Sequence, residues 1–143
     1  MRFALSYLFV AAAALSIRLS AVALGADLRV IANPSVKVSV VSSEDLRGVF
    51  LATRTLLPDG SHVEPVLLKS GVVHETFVRQ YVGKRNSALE TYYRSLVFTG
   101  KALMPKSLSS EEQVVEYVAK TKGAVGYVSA GAPISGVKVL DVR

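Results

Sequence analysis

A surplus of 17 Lys and Arg over 11 Asp and Glu gives 143 residues a formal charge of +6, with no cysteine anywhere. Without thiols there is no disulfide framework, no cysteine nucleophile and no cysteine-held metal. A sequence pI near 9.7 raises three anionic partners: nucleic acid, a membrane surface or a small anionic ligand.

The first segment decides among them. Arg2 supplies a short positive start, and Phe3 to Ile17 run without a charge. Small residues follow at Ala21-Val22-Ala23 and Ala23-Leu24-Gly25, either of which suits a signal peptidase. This is the tripartite pattern of a secretory signal. Arg18 interrupts the run before the roughly 20 apolar residues that a membrane span needs. The expected organisation is a cleaved signal peptide over residues 1–26 and one domain over 27–143, periplasmic or otherwise exported. Losing Arg2 and Arg18 lowers the charge from +6 to +4. Export argues against nucleic acid and leaves a mildly basic surface or, more sharply, an anionic ligand or membrane surface.

Along the remaining chain, Leu28 to Ala32 is a β-prone run ended by Asn33-Pro34. Ser42-Ser43-Glu44-Asp45 starts a helix with a hydroxyl cap and acids in its first turn, and Leu46, Val49 and Phe50 form its apolar face. Pro58-Asp59-Gly60 is a turn. Val63 to Leu68 is a second strand, whose Pro65 suits an edge or a strand start. Val73, Phe77 and Tyr81 stripe a helix over Val72 to Val82. Ser87 with Glu90 reads as a capping box for a helix lined by Leu89, Tyr93, Leu96 and Val97. A loop over Thr99 to Pro105 leads to a second box at Ser109 and Glu112. Val115 and Val118 line that last helix, Lys120 and Lys122 sit in its last turn, and Gly123 closes it. Ala124 to Val128 and Val137 to Val142 are final strands. Strands interleaved with helices predict an α/β layer sandwich, a central sheet flanked by helices.

Catalytic signatures are missing. There is no H-E-x-x-H, G-x-S-x-G, G-x-G-x-x-G or P-loop. The two histidines, His62 and His74, share no ligand spacing, and a histidine near a helix start reads as solvated surface. No cofactor, no metal and no enzymatic activity are expected. The strand-to-helix junction Lys69-Ser70-Gly71-Val72-Val73-His74 is the candidate ligand-binding segment. Unpaired N–H groups at a helix start attract anions, Ser70 is placed to cap, Gly71 admits close backbone approach, and Lys69 adds charge. The rival reading is a plain helix cap with no ligand.

An ordered set of segments then resembles a known family. Val30-Ile31-Ala32-Asn33-Pro34, Ser43 to Leu51, Pro58-Asp59-Gly60, Tyr93 to Gly100 and Lys122-Gly123-Ala124-Val125-Gly126-Tyr127-Val128 are similar to phosphate-binding proteins of ABC transporters. The resemblance is greatest to short members with a single lobe. It implies one lobe of the type II periplasmic binding protein fold, in which two lobes close on the ligand about a hinge. It further implies inorganic phosphate or a similar oxyanion as ligand, bound weakly by a half-cage, and a membrane transporter or other envelope protein as partner. Family members carry an Arg and a Gly-Ser-Gly-Thr loop entering the phosphate-binding helix. Only the Ser-Gly pair of that loop is matched here, at Ser70 and Gly71. The alternative is a non-catalytic envelope interaction module that kept the fold and lost the ligand.

Overall fold

A computed structural model describes residues 27–143; the expected signal peptide lies outside the described residues. The sheet has six strands: β1 (Leu28–Ala32), β2 (Val40–Val41), β3 (Glu64–Leu68), β4 (Lys106–Leu108), β5 (Ala124–Ser129) and β6 (Lys138–Val142). Their spatial order is β2-β6-β1-β5-β3-β4. β1 runs antiparallel to both its neighbours, β5 and β6, while the β2–β6, β3–β5 and β3–β4 pairs are parallel. One reversed strand therefore sits inside an otherwise parallel sheet, with its carboxyl ends on one edge. β2 and β4, two and three residues long, were not foreseen from the sequence.

Helices cover both faces, so the expected sandwich has three layers. α4 (Glu111–Lys120) lies on one face. The other face carries α1 (Ser43–Phe50), α2 (Val72–Phe77) with the π-helical turn Val78–Val82 that continues it, and α3 (Asn86–Phe98). Alternation along β5 feeds both layers. On one side Gly126 sits beneath Val114 and Val118, so close that a Cβ there would lie 2.9 Å from Val114 Cγ1. On the other, the Tyr127 ring stacks on Phe77 at 3.8 Å between centroids, and Phe50 meets Phe77 edge-on at 4.7 Å. Tyr127, Phe50 and Phe77 are fully buried, and each such side chain contributes about 1.5–3 kcal/mol through loss of apolar surface from water.

Polar side chains finish what the helices leave open. Asn33, buried where the Asn-Pro pair ends β1, donates through Nδ2 to the Val118 and Ala119 carbonyls at 2.8 and 3.1 Å. Those carbonyls belong to the last turn of α4 and have no partner within the helix. Its Oδ1 accepts from the Ser35 N–H at 2.9 Å. Tyr93 and Tyr92 of α3 likewise donate to the Phe50 and Leu51 carbonyls at the end of α1. Burial is the main reason the Tyr93 phenol is held well above its usual range.

Three cap assignments change. Ser42 caps α1 as expected, accepting from the Asp45 N–H at 3.0 Å. The Ser87–Glu90 box does not form: α3 starts at Asn86 behind Arg85, with no side-chain cap, and Ser87 is already inside the helix. The box expected at Ser109 and Glu112 is displaced by one residue. Ser110 accepts from the Gln113 N–H at 3.2 Å, while Gln113 Oε1 accepts from the Ser109 N–H at 3.0 Å. At the far end α4 stops at Lys120 with Thr121 as cap, and Gly123 turns the chain three residues later at φ 76°. Val97, expected on the apolar face of α3, is exposed. Among the described residues no helix is long and apolar enough to cross a membrane.

Candidate functional site

β3, β4 and β5 run parallel and end on the same edge, the side where ligands bind in open α/β sheets. The candidate segment lies there. The Lys69 N–H donates to the Leu108 carbonyl at 2.9 Å, tying the end of β3 to β4. Lys69, Ser70 and Gly71 are exposed, Val73 is half-buried, and Val72 is 70% exposed. Ser70 does not cap the helix. Gly71 is the cap residue, at φ 105° and ψ 171°, with no side-chain bond to the first N–H groups of α2. That conformation is open to glycine and strained for other residues, which removes the side chain a cap would have used.

His74 departs furthest from expectation. It is 2% exposed, not solvated. Its Nδ1 lies 2.5 Å from the Tyr127 hydroxyl, and its Nε2 lies 2.7 Å from Asn86 Oδ1. The same hydroxyl accepts from the Leu68 N–H at 3.0 Å, so its own hydrogen is available to His74 Nδ1. Nε2 then carries the ring hydrogen and donates to Asn86 Oδ1. The relay joins β3, β5, α2 and α3 by hydrogen bonds that engage both ring nitrogens. Neither nitrogen is available to a ligand while it persists. Burial is the largest influence on the Tyr127 phenol and raises it well above its usual range, against the lowering effect of the Leu68 N–H. Adjacent Glu75 is exposed, so the two neighbours do point apart.

Beside Lys69 opens a cavity of about 320 Å³. Lys69, Asn86, Glu90, Arg94 and Ser107 supply much of its polar wall, and Leu89, Met104 and Pro105 supply much of its apolar wall. Arg94 Nη2 lies 3.8 Å from Glu90 Oε2 across one helical turn, both largely exposed, a contact worth at most a few tenths of a kcal/mol. Asn86 and Arg94 escaped the sequence reading because the expected start of α3 lay two residues later and its polar face carried no motif. Of the residues from the end of α3 to β4, Phe98, Leu103 and Met104 are 93%, 88% and 55% exposed, and Met104 lines the cavity. No cluster of three or more metal-ligating side chains occurs among the described residues.

No protein-family model matches the sequence, and no curated protein matches it. Solved structures do match its fold. An ABC-type phosphate transport receptor from Vibrio cholerae superposes with a TM-score of 0.62 at 17% identity, covering 81% of this chain and 46% of the receptor. A Clostridium perfringens protein, described as a phosphate ABC transporter substrate-binding protein and solved with bound phosphate, gives 0.62 at 13% identity over 81% and 44%. PstS from Borrelia burgdorferi gives 0.61 at 14% over 82% and 47%. This chain thus has an α/β fold shared with phosphate ABC transporter substrate-binding proteins, and spans under half the length of the solved structures it matches.

Proposed function

We propose that the chain is an exported binding lobe for phosphate or a similar oxyanion, working with an ABC-type transporter. The observation that carries this reading is the shared fold, because the structures concerned are phosphate receptors and one holds phosphate. The Lys69–Val73 segment adds exposed backbone at a helix start and a cation, on the edge where parallel strands end. His74 takes a supporting part, positioning the helix start from below. An anion lying on one open wall keeps much of its hydration, and charge interactions there are screened by salt. Affinity of the lobe alone is therefore weak, with a Kd on the order of a millimolar, and a covering partner or second copy would raise it.

Titration calorimetry of the purified protein with phosphate, sulfate and acetate tests this directly. Heat with phosphate, weakened by Lys69→Ala and Ser70→Ala, is the expected outcome. No heat and no melting shift at millimolar phosphate would sink the reading for this chain. A second reading, an envelope interaction module without a ligand, is favoured by one observation: the exposed apolar group Phe98, Leu103 and Met104. Recovery of the protein alone from envelope extracts under gentle conditions would count against it.

A further inference from the structure

The cavity beside Lys69 is too large for the ion the fold suggests. About 320 Å³ corresponds to roughly ten water volumes and lies at the lower end of pockets that hold organic ligands, whereas phosphate has five heavy atoms. The two walls also differ in kind. Lys69 and Arg94 bring positive charge to one side, and Leu89, Met104 and Pro105 offer apolar surface on the other. Glu90 pairs with Arg94 at 3.8 Å, which leaves Lys69 as the cation without a carboxylate partner among the described residues.

Asn86 decides how the polar wall works. Its Oδ1 is committed to the hydrogen on His74 Nε2 at 2.7 Å, and that hydrogen is placed by the Leu68–Tyr127–His74 relay. An amide whose oxygen is pinned has its nitrogen pinned as well. Nδ2 has no partner among the described residues, although Asn86 lines the cavity. It is an oriented donor pair with nothing yet to donate to, held beside two cations. Such a wall recognises an acceptor-rich, negatively charged head.

Building on the oxyanion reading above, we infer that this cavity binds an organic oxyanion, a phosphonate or phosphomonoester with a short apolar body. Asn86 Nδ2, Lys69 and Arg94 hold the head, while Leu89, Met104 and Pro105 cover the body. The inference goes beyond phosphate binding because it assigns the apolar wall a ligand group and makes Asn86 a specificity residue.

Calorimetry with inorganic phosphate and phenylphosphonate on the purified chain separates the possibilities. The expected result is tighter binding of phenylphosphonate, by about tenfold or more, as its ring leaves water. Met104→Ser should erase most of that preference. Asn86→Asp keeps an acceptor for His74 but turns an oxygen toward the head, and should weaken both ligands about tenfold or more. A melting temperature close to the native value shows that Asn86→Asp is folded, and the two-ligand comparison on the native chain does not depend on that variant. Equal affinity for the two ligands overturns the inference and leaves the phosphate reading standing. Unchanged binding in a folded Asn86→Asp protein also overturns it. Binding of neither ligand overturns both.

Discussion

Two glycines, one on each side of the sheet's length, show how differently the two ends of the molecule are built. Gly123, entering β5, has φ 76°, and a Cβ on it would come within 2.4 Å of the His62 carbonyl oxygen. Its own N–H donates to Ser35 Oγ and its carbonyl accepts from Glu64 N–H, at 3.0 and 2.9 Å. Gly71, leaving β3, has φ 105°, and a Cβ there would meet nothing within 4 Å. The first is required by neighbours as well as by conformation; the second is required by conformation alone. Packing leaves no room for a side chain at Gly123, nor at Gly126 under Val114 and Val118, although a cavity of about 360 Å³ lined by Lys37, His62 and Lys122 opens beside Gly123. The Gly71 end keeps open backbone, a cavity and unspent donors, which is the arrangement a binding edge needs.

The contrast predicts unequal costs. Gly123→Ala combines backbone strain with a backbone clash that no rotamer relieves, and should lose about 3 kcal/mol or more. A urea midpoint only slightly below native would show that the segment around His62 yields and that the tight end is softer than described. Below that effect comes Tyr127→Phe, which strips the relay of its hydroxyl and leaves the Leu68 N–H and His74 Nδ1 unpaired. About 2–3 kcal/mol is expected. Tyr127 also sets a pH dependence. Burial raises its phenol above the ordinary value of 10.0, so the folded chain keeps a proton that the unfolded chain releases. That contribution is complete below about pH 10 and is lost as pH climbs toward the raised folded value. Urea midpoints should hold level up to about pH 10 and then fall, less steeply in Tyr127→Phe than in the native chain. Equal slopes would assign the alkaline loss to Tyr93 and Tyr117, the other phenols that burial raises.

Gly71→Ala should cost less, about 1–2 kcal/mol, since only backbone strain is added. If it matched Gly123→Ala, the open end would be as tightly constrained as the closed one, and the comparison would fail.

Local pattern was legible at both ends: Ser42 as cap, the Leu46-Val49-Phe50 face and the β5 segment follow from it, because burial repeats with helix and strand period. Gly123 was readable as a glycine requirement, although it turns the chain after α4 and does not close the helix. The open end was not readable to the same degree. β4 is three residues long and is a strand only because β3 and its carbonyls lie alongside, a fact of partners and not of propensity. His74 was misread as solvated. Its burial depends on a hydroxyl 53 residues away and an amide 12 residues away, which no local window contains. One signal was present: His74 stands three and four residues before Phe77 and Val78, both buried, and so shares their face. Asn86 was hidden by the Ser87–Glu90 pattern, which offered a plausible helix start two residues too late.

The smallest expected effect bears on what covers the open end. Phe98 is 93% exposed at the end of α3, so replacing it with Ser removes almost no buried surface from the monomer. Unfolding free energy should stay within about 0.5 kcal/mol of native. Leu103 and Met104, a few residues further along the chain, are likewise exposed, and exposed apolar surface marks contact with something else. A Phe98→Ser protein that is equally stable but changed in association, read by light scattering at high concentration, would make the open end a contact surface as well as a binding edge. A large loss of stability would instead mean that Phe98 packs within the lobe, and the two ends would then differ less than their glycines suggest.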